Sequence, residues 1–149
     1  MKCFRLFLAF AWLLCLCPVQ GADVNPPCLE LLQLINQQRT ENGLQPVVYD
    51  AAMSAVAQEW AEEMARQNKM RHHHSLKSYM DQNGWRLMNE NIFHSCPDFS
   101  LQLVVERWMK SSGHRKNLLM PQITLGGIGI AKSPETGYYA VFHGGAPTD

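Results

Sequence analysis

The chain has 149 residues, 13 basic and 13 acidic side chains, and is 46% hydrophobic. That length suits one domain with a real core. A formal net charge of zero, with no basic run, excludes the electrostatic footprint of a nucleic-acid surface.

Lys2 and Arg5 precede the apolar run "LFLAFAWLLCL", which is too short to span a bilayer and has the length of a signal-peptide core. Pro18 breaks the run, and Val19 and Gly21 occupy the small-residue positions of a cleavage site. Residues 1–21 are therefore expected to be a removed signal peptide, and 22–149 the exported domain. An uncut membrane anchor is the alternative. Lipidation at Cys15 or Cys17 fits less well, because a leucine precedes each. Without Lys2 and Arg5, 11 basic side chains face 13 acidic ones, and no second apolar span follows. Of the five cysteines, Cys28 and Cys96 survive cleavage. In an oxidising compartment a single pair reads as a structural disulfide, Cys28 to Cys96. Two separate buried thiols are the other reading. No second sulfur lies close to either one, which argues against a metal site built from them.

In chain order, "CLELLQLINQQRTENG" places Leu31, Leu32, Leu34 and Ile35 among polar residues, a first amphipathic helix stopped by Gly43. "LQPVVYD" connects to a second helix and supplies Asp50 as N-cap. Met53, Val56, Ala57, Trp60, Ala61 and Met64 recur at helical spacing there. Glu59, Glu62, Glu63 and Arg66 fall off that stripe, as a solvated face does, and receive no catalytic role. From Asn68 to Phe99 the chain is polar and irregular. A short helix is expected near Leu76–Asn83, ended by Gly84, and a short strand around Asn91–Phe93. A third helix spans about Phe99–Ser112, capped by Asp98 or Ser100, with Leu101, Val104, Val105, Trp108 and Ser112 on its stripe. "LGGIGIAK", "SPETG" and "YYAVFHG" form a hairpin whose turn holds Pro134 and Gly137. The predicted class is α+β, an antiparallel sheet covered by helices.

Residues able to carry chemistry are His72, His73, His74, Glu90, His94, Glu106, Ser111, His114 and His143. A lone histidine in an exported domain is more often a hydrogen-bonded or surface residue than a ligand. Glu90 stands out, because it enters an apolar segment, where a carboxylate is costly unless paired. Spacing alone does not assemble these residues into a site.

The segments "NENI", "WMKSSGHRKNLL" and "LGGIGIAKSPETGYYAVFHGG", with the opening "LLQLINQQRTENGLQPVVYDAAMSAVAQEWAEEMA", resemble the CAP superfamily of cysteine-rich secretory, antigen 5 and pathogenesis-related proteins. The similarity runs from about Leu29 to Gly145 and is nearest the short SCP-like branch. It implies an α-β-α sandwich with a surface cleft, lined in larger relatives by two histidines and two glutamates. Carried over by motif, the first histidine falls on His74, which precedes Ser75, and the first glutamate on Glu90, although Asn89 replaces a glycine. The second histidine falls on His114. The second glutamate falls on Ser111, so the cleft here has His74, Glu90, Ser111 and His114. Glu106 does not replace the missing carboxylate, because at about 100° per residue it points roughly 140° from Ser111.

Two imidazoles and one carboxylate (His74, Glu90 and His114) suit Zn²⁺ or a similar divalent ion. The same residues also suit a metal-free hydrogen-bonded network that fixes loop geometry. A Ser–His nucleophile from Ser111 or Ser112 with His114 has no orienting acid or oxyanion hole in view. Arg115 and Asn117 read as structural, and His94 and His143 match no ligand position. The resemblance thus implies a secreted binding domain for a lipid, sterol, peptide or cell-surface partner. A metal-dependent, peptidase-like hydrolase is the alternative, weakened by the loss of the second glutamate.

Overall fold

The computed structural model describes residues 25–148, so the expected signal peptide lies outside the described residues. The described chain runs α1 (Pro26–Glu41), β1 (Val48–Tyr49), α2 (Ala51–Gln67), α3 (Leu76–Asn83), β2 (Trp85–Ser95), α4 (Leu101–Lys110), α5 (Ser112–Leu118), β3 (Leu125–Ser133) and β4 (Gly137–Pro147). Among the described residues, no helix is long and apolar enough to cross a membrane.

The expected caps are made. Asp50 accepts from the Met53 N–H at 2.7 Å, and Ser100 accepts from Leu103 at 3.1 Å. Gly43 and Gly84 adopt the left-handed backbone that ends α1 and α3.

The four strands lie in the order β1-β3-β4-β2. β2 and β3 both pair antiparallel with β4, while β1 adds a two-residue parallel pairing to β3. Helices cover both faces of this sheet. On one face α2 packs Ala57, Trp60, Ala61 and Met64 against Ile92, Tyr139 and Val141. On the other, α1 and α4 pack Leu31, Leu32, Ile35, Val104, Val105 and Trp108 against Ile128, Ala140 and Phe142. The architecture is the α-β-α sandwich of the expected class.

Close approach of α2 to β3 depends on glycine. A Cβ at Gly127 would meet the Met53 backbone at 2.5 Å, and one at Gly129 would meet the Ala57 oxygen at 2.2 Å. With the backbones this near, α2 side chains reach the edge of β3 that β1 leaves uncovered. Ser54 Oγ accepts from the Ile128 N–H, and Gln58 both accepts from and donates to Ile130. The opposite edge is closed in the same way. Trp108 Nε1 donates to the Ile92 carbonyl at 3.0 Å, and Asn117 Nδ2 donates to the Glu90 carbonyl at 3.0 Å. Side chains thus satisfy edge groups that would otherwise invite strand pairing.

Arg39 of α1 is buried, and its guanidinium donates to the carbonyls of Gln45, Leu118, Met120 and Ile123. It ties α1 to the end of α5 and the loop that enters β3.

Four expectations are corrected. The short strand at 91–93 is an eleven-residue strand, because its central polar residues Glu90 and Asn91 are buried against the histidine loop and α5. The stretch "LQPVVYD" contains β1 as well as a connection. The helix expected to reach Ser112 ends at Lys110, and a separate α5 begins at Ser112 and runs through Gly113. Cys28 and Cys96 are free thiols. Cys28 points into the core, where burial pushes its thiol up to about 11, whereas Cys96 is exposed.

Candidate functional site

β2 and β4 are in register at Glu90 and His143, which brings both side chains to the α2 face of the sheet. Glu90 is 7% exposed and His143 fully buried. His143 Nε2 lies 3.0 Å from Glu90 Oε2. The other carboxylate oxygen, Oε1, accepts the His73 backbone N–H at 3.0 Å and stands 2.7 Å from His72 Nδ1. Burial on its own would raise the Glu90 pKa. Hydrogen bonds from His143, the His73 backbone and His72 outweigh it and hold the carboxyl below its ordinary value. A carboxylate that only accepts requires the neutral His143 ring to carry its proton on Nε2. Nδ1 then has no partner among the described residues.

The next layer consists of amides. Asn117 Nδ2 bonds the Glu90 carbonyl and Asn91 Oδ1, Asn91 Nδ2 donates to the His114 carbonyl at 2.9 Å, and Asn89 Nδ2 donates to the Asn117 carbonyl at 3.1 Å. The "NEN" triplet and the "GHRKN" segment are thereby laced together, with α5 anchored along the edge of β2. His114 sits half-buried in this junction. Burial lowers its pKa, and the neighbouring His72 charge lowers it further.

The carried-over residues separate into two places. Glu90 and His114 belong to this junction. His72, 65% exposed, is the member of the histidine triplet whose ring contacts Glu90. His74 points elsewhere, stacked on His73 at 5.4 Å and edge-on to Trp60 at 5.7 Å. Three consecutive histidines in a loop have no periodicity that could distinguish them. Ser111 is the residue between α4 and α5; its N–H bonds back to Arg107 and Trp108, and its carbonyl accepts from Arg115. Glu106 is exposed and paired with Lys110, as a solvated helix residue. His94 bonds the Thr136 carbonyl at 2.6 Å and packs on Tyr139. His143 is the residue that motif matching passed over. Alternation along β4 carries its signal, since Tyr139 and Val141 face α2 and position 143 follows them.

Beside the Glu90 group lies an open cleft of about 490 Å³, lined by Trp60, His73, His74, Tyr79 and charged residues of α2. His73 joins the two: its N–H holds Glu90, while its ring forms the cleft wall.

Among the described residues, no three His, Cys, Asp or Glu side chains are grouped so as to hold a metal ion. His74, Glu90 and His114 are not brought together as a ligand set. Both Glu90 oxygens are already engaged, so no chemical step is assigned to a metal here.

Residues 32–143 match the model of the CAP, or cysteine-rich secretory protein, family. The uncharacterized Bacillus subtilis protein YkwD is 31% identical over 110 residues, covering 70% of this chain and 42% of its own. The chain thus spans less than half of that relative. An outer surface protein of Borrelia burgdorferi superposes with a TM-score of 0.72 at 18% identity, over 80% of this chain and 92% of its own. An extracellular SCP-domain protein of Bacillus anthracis superposes with a TM-score of 0.61 at 24% identity, over 82% of this chain and 44% of its own. With the sandwich, the "NEN" strand and the "GHRKN" helix fitted together, this chain belongs to the cysteine-rich secretory protein family.

Proposed function

We propose that this chain is an exported, non-enzymatic binding domain whose His/Glu group shapes one wall of a ligand cleft. Export is supported by the signal-like run in residues 1–21 and by similarity to the extracellular and outer-surface proteins above. The observation that carries the binding reading is the state of Glu90. Its two oxygens share His143, His72 and the His73 N–H, which leaves no free carboxylate to take a proton from a water. Imidazole and carboxylate together fix the loop that carries the histidine triplet, and that loop forms the cleft wall.

The partner class is a lipid, sterol, peptide or cell-surface molecule. An apolar ligand is favoured by a separate groove of about 400 Å³ between α1 and α4, where Leu34, Val105 and Met109 meet. A hydrolase built on the same residues is the competing reading.

The test is to incubate the purified protein with labelled sterol, fatty acid and peptide probes, following retention against competitor and product formation in parallel. Retention of a probe without turnover is expected. Turnover that vanishes in both Glu90→Gln and His114→Ala would overturn the reading in favour of the hydrolase.

A further inference from the structure

The cleft beside the Glu90 group already holds a cation, contributed by the chain itself. Arg71, in the segment between α2 and α3, lays its guanidinium carbon 4.8 Å from the centre of the Trp60 ring. Its Nη2 lies 3.6 Å from Glu63 Oε1, and Nη1 donates to Gln67 Oε1. Around it, His73 packs 4.4 Å from Trp60 and meets Tyr79 edge-on at 5.3 Å, while Tyr79 Oη donates to Glu59 Oε2 at 3.1 Å. The walls therefore combine aromatic faces with the carboxylates of Glu59, Glu62 and Glu63, against the two guanidiniums of Arg66 and Arg71.

Three features make the Arg71 side chain a removable cover. It is 31% exposed, and a long pair in water is a weak tie. Its backbone is anchored independently, because the Arg71 carbonyl accepts Trp60 Nε1 at 2.9 Å, so the side chain can swing out while the loop stays in place. Trp60 is only 4% exposed, packed in the α2-face core on one side and against Arg71, His73 and His74 on the other, so displacing the arginine frees ring surface next to a carboxylate. A ring face beside an acid favours an organic cation over a metal ion or an anion.

We propose that this cleft is a recognition site for a basic side chain of an extracellular peptide, a guanidinium above all, with Arg71 as an internal competitor that the ligand displaces. The site stands on its own geometry and does not require the Glu90 group to engage any ligand.

Titrating the full-length protein with the tripeptide acetyl-Gly-Arg-Gly-amide, followed by NMR at the Trp60 indole N–H, tests this directly. The same peptide with citrulline in place of arginine keeps the length and planar end group but removes the charge and replaces one donating nitrogen with an accepting carbonyl. The arginine probe should shift the Trp60 signal and the citrulline probe should not. Arg71→Ala should tighten the arginine probe by about tenfold, and Glu63→Gln should weaken it by about tenfold. Both side chains are partly exposed, and circular dichroism of each variant checks that the fold persists. Equal binding of the two probes, no binding of either, or an affinity unchanged by Arg71→Ala would overturn the proposal.

Discussion

Glu90 owes its ionised form to its neighbours, and that dependence has a definite pH signature. Its carboxyl is held below the ordinary value of 4.5, so the stability it contributes is complete above about pH 4.5 and is lost as pH falls through the folded value. His73 and His114 are both held below 6.5, chiefly by burial. The unfolded chain takes up their protons first, so stability already drains as pH falls below about 6.5. Glu90→Gln should cost about 2 kcal/mol at pH 7, where it removes the charged acceptor from His143 and His72. In urea melts across pH, that gap should narrow below about pH 4.5, because the unfolded wild type takes up a proton there first and the folded carboxylate follows at lower pH. A gap independent of pH would show that Glu90 is not held as a carboxylate. Some of this was legible in the sequence: a carboxylate between two asparagines at the start of an apolar segment demands partners. Which partners it finds was not. Motif matching pointed to His74, while the loop sets the largely exposed His72 against Glu90, and His143 is set by strand register, which local sequence does not reveal.

At the level of elements, helices were easier to read than the strands they cover. The stripes of α1, α2 and α4 and the caps at Asp50 and Ser100 follow from local periodicity and hydrogen bonding, and they form except at Ser112, which lies beyond α4 and is exposed. β2 was read as three residues because polar side chains interrupt its alternation, and those polar groups are satisfied by α5, the histidine loop and His143 of β4. The glycines divide by position. Gly129 lies against the backbone of α2, where a methyl group has no room, whereas nothing stands within 4 Å of a Cβ at Gly113. Gly129→Ala should cost about 3 kcal/mol by forcing α2 away from β3. Gly113→Ala should stabilise by about 0.5 kcal/mol, since alanine favours the helix that α5 already forms. Denaturant midpoints for the two variants check both signs, and a destabilising Gly113→Ala would show that position 113 needs a conformation only glycine adopts.

For the whole molecule, the sheet has side chains at both edges. Ser54 and Gln58 close the β3 side, while Trp108 and Asn117 close the β2 side. Arg39 then bolts α1 to the end of α5 through carbonyls on both sides of the chain reversal at 118–123. The family motifs lie at these joints, which is why they identified the fold well and the chemistry poorly. We propose that the His/Glu group is a hydrogen-bonded brace for the cleft and not a metal site. The most direct measurement is long-range ¹H–¹⁵N NMR of the imidazole nitrogens, recorded at neutral pH with and without Zn²⁺. A brace gives a His143 ring protonated at Nε2, with the signals of His72, His114 and His143 unmoved by zinc. Zinc-dependent shifts at His72 and His114 that disappear in Glu90→Gln would contradict it.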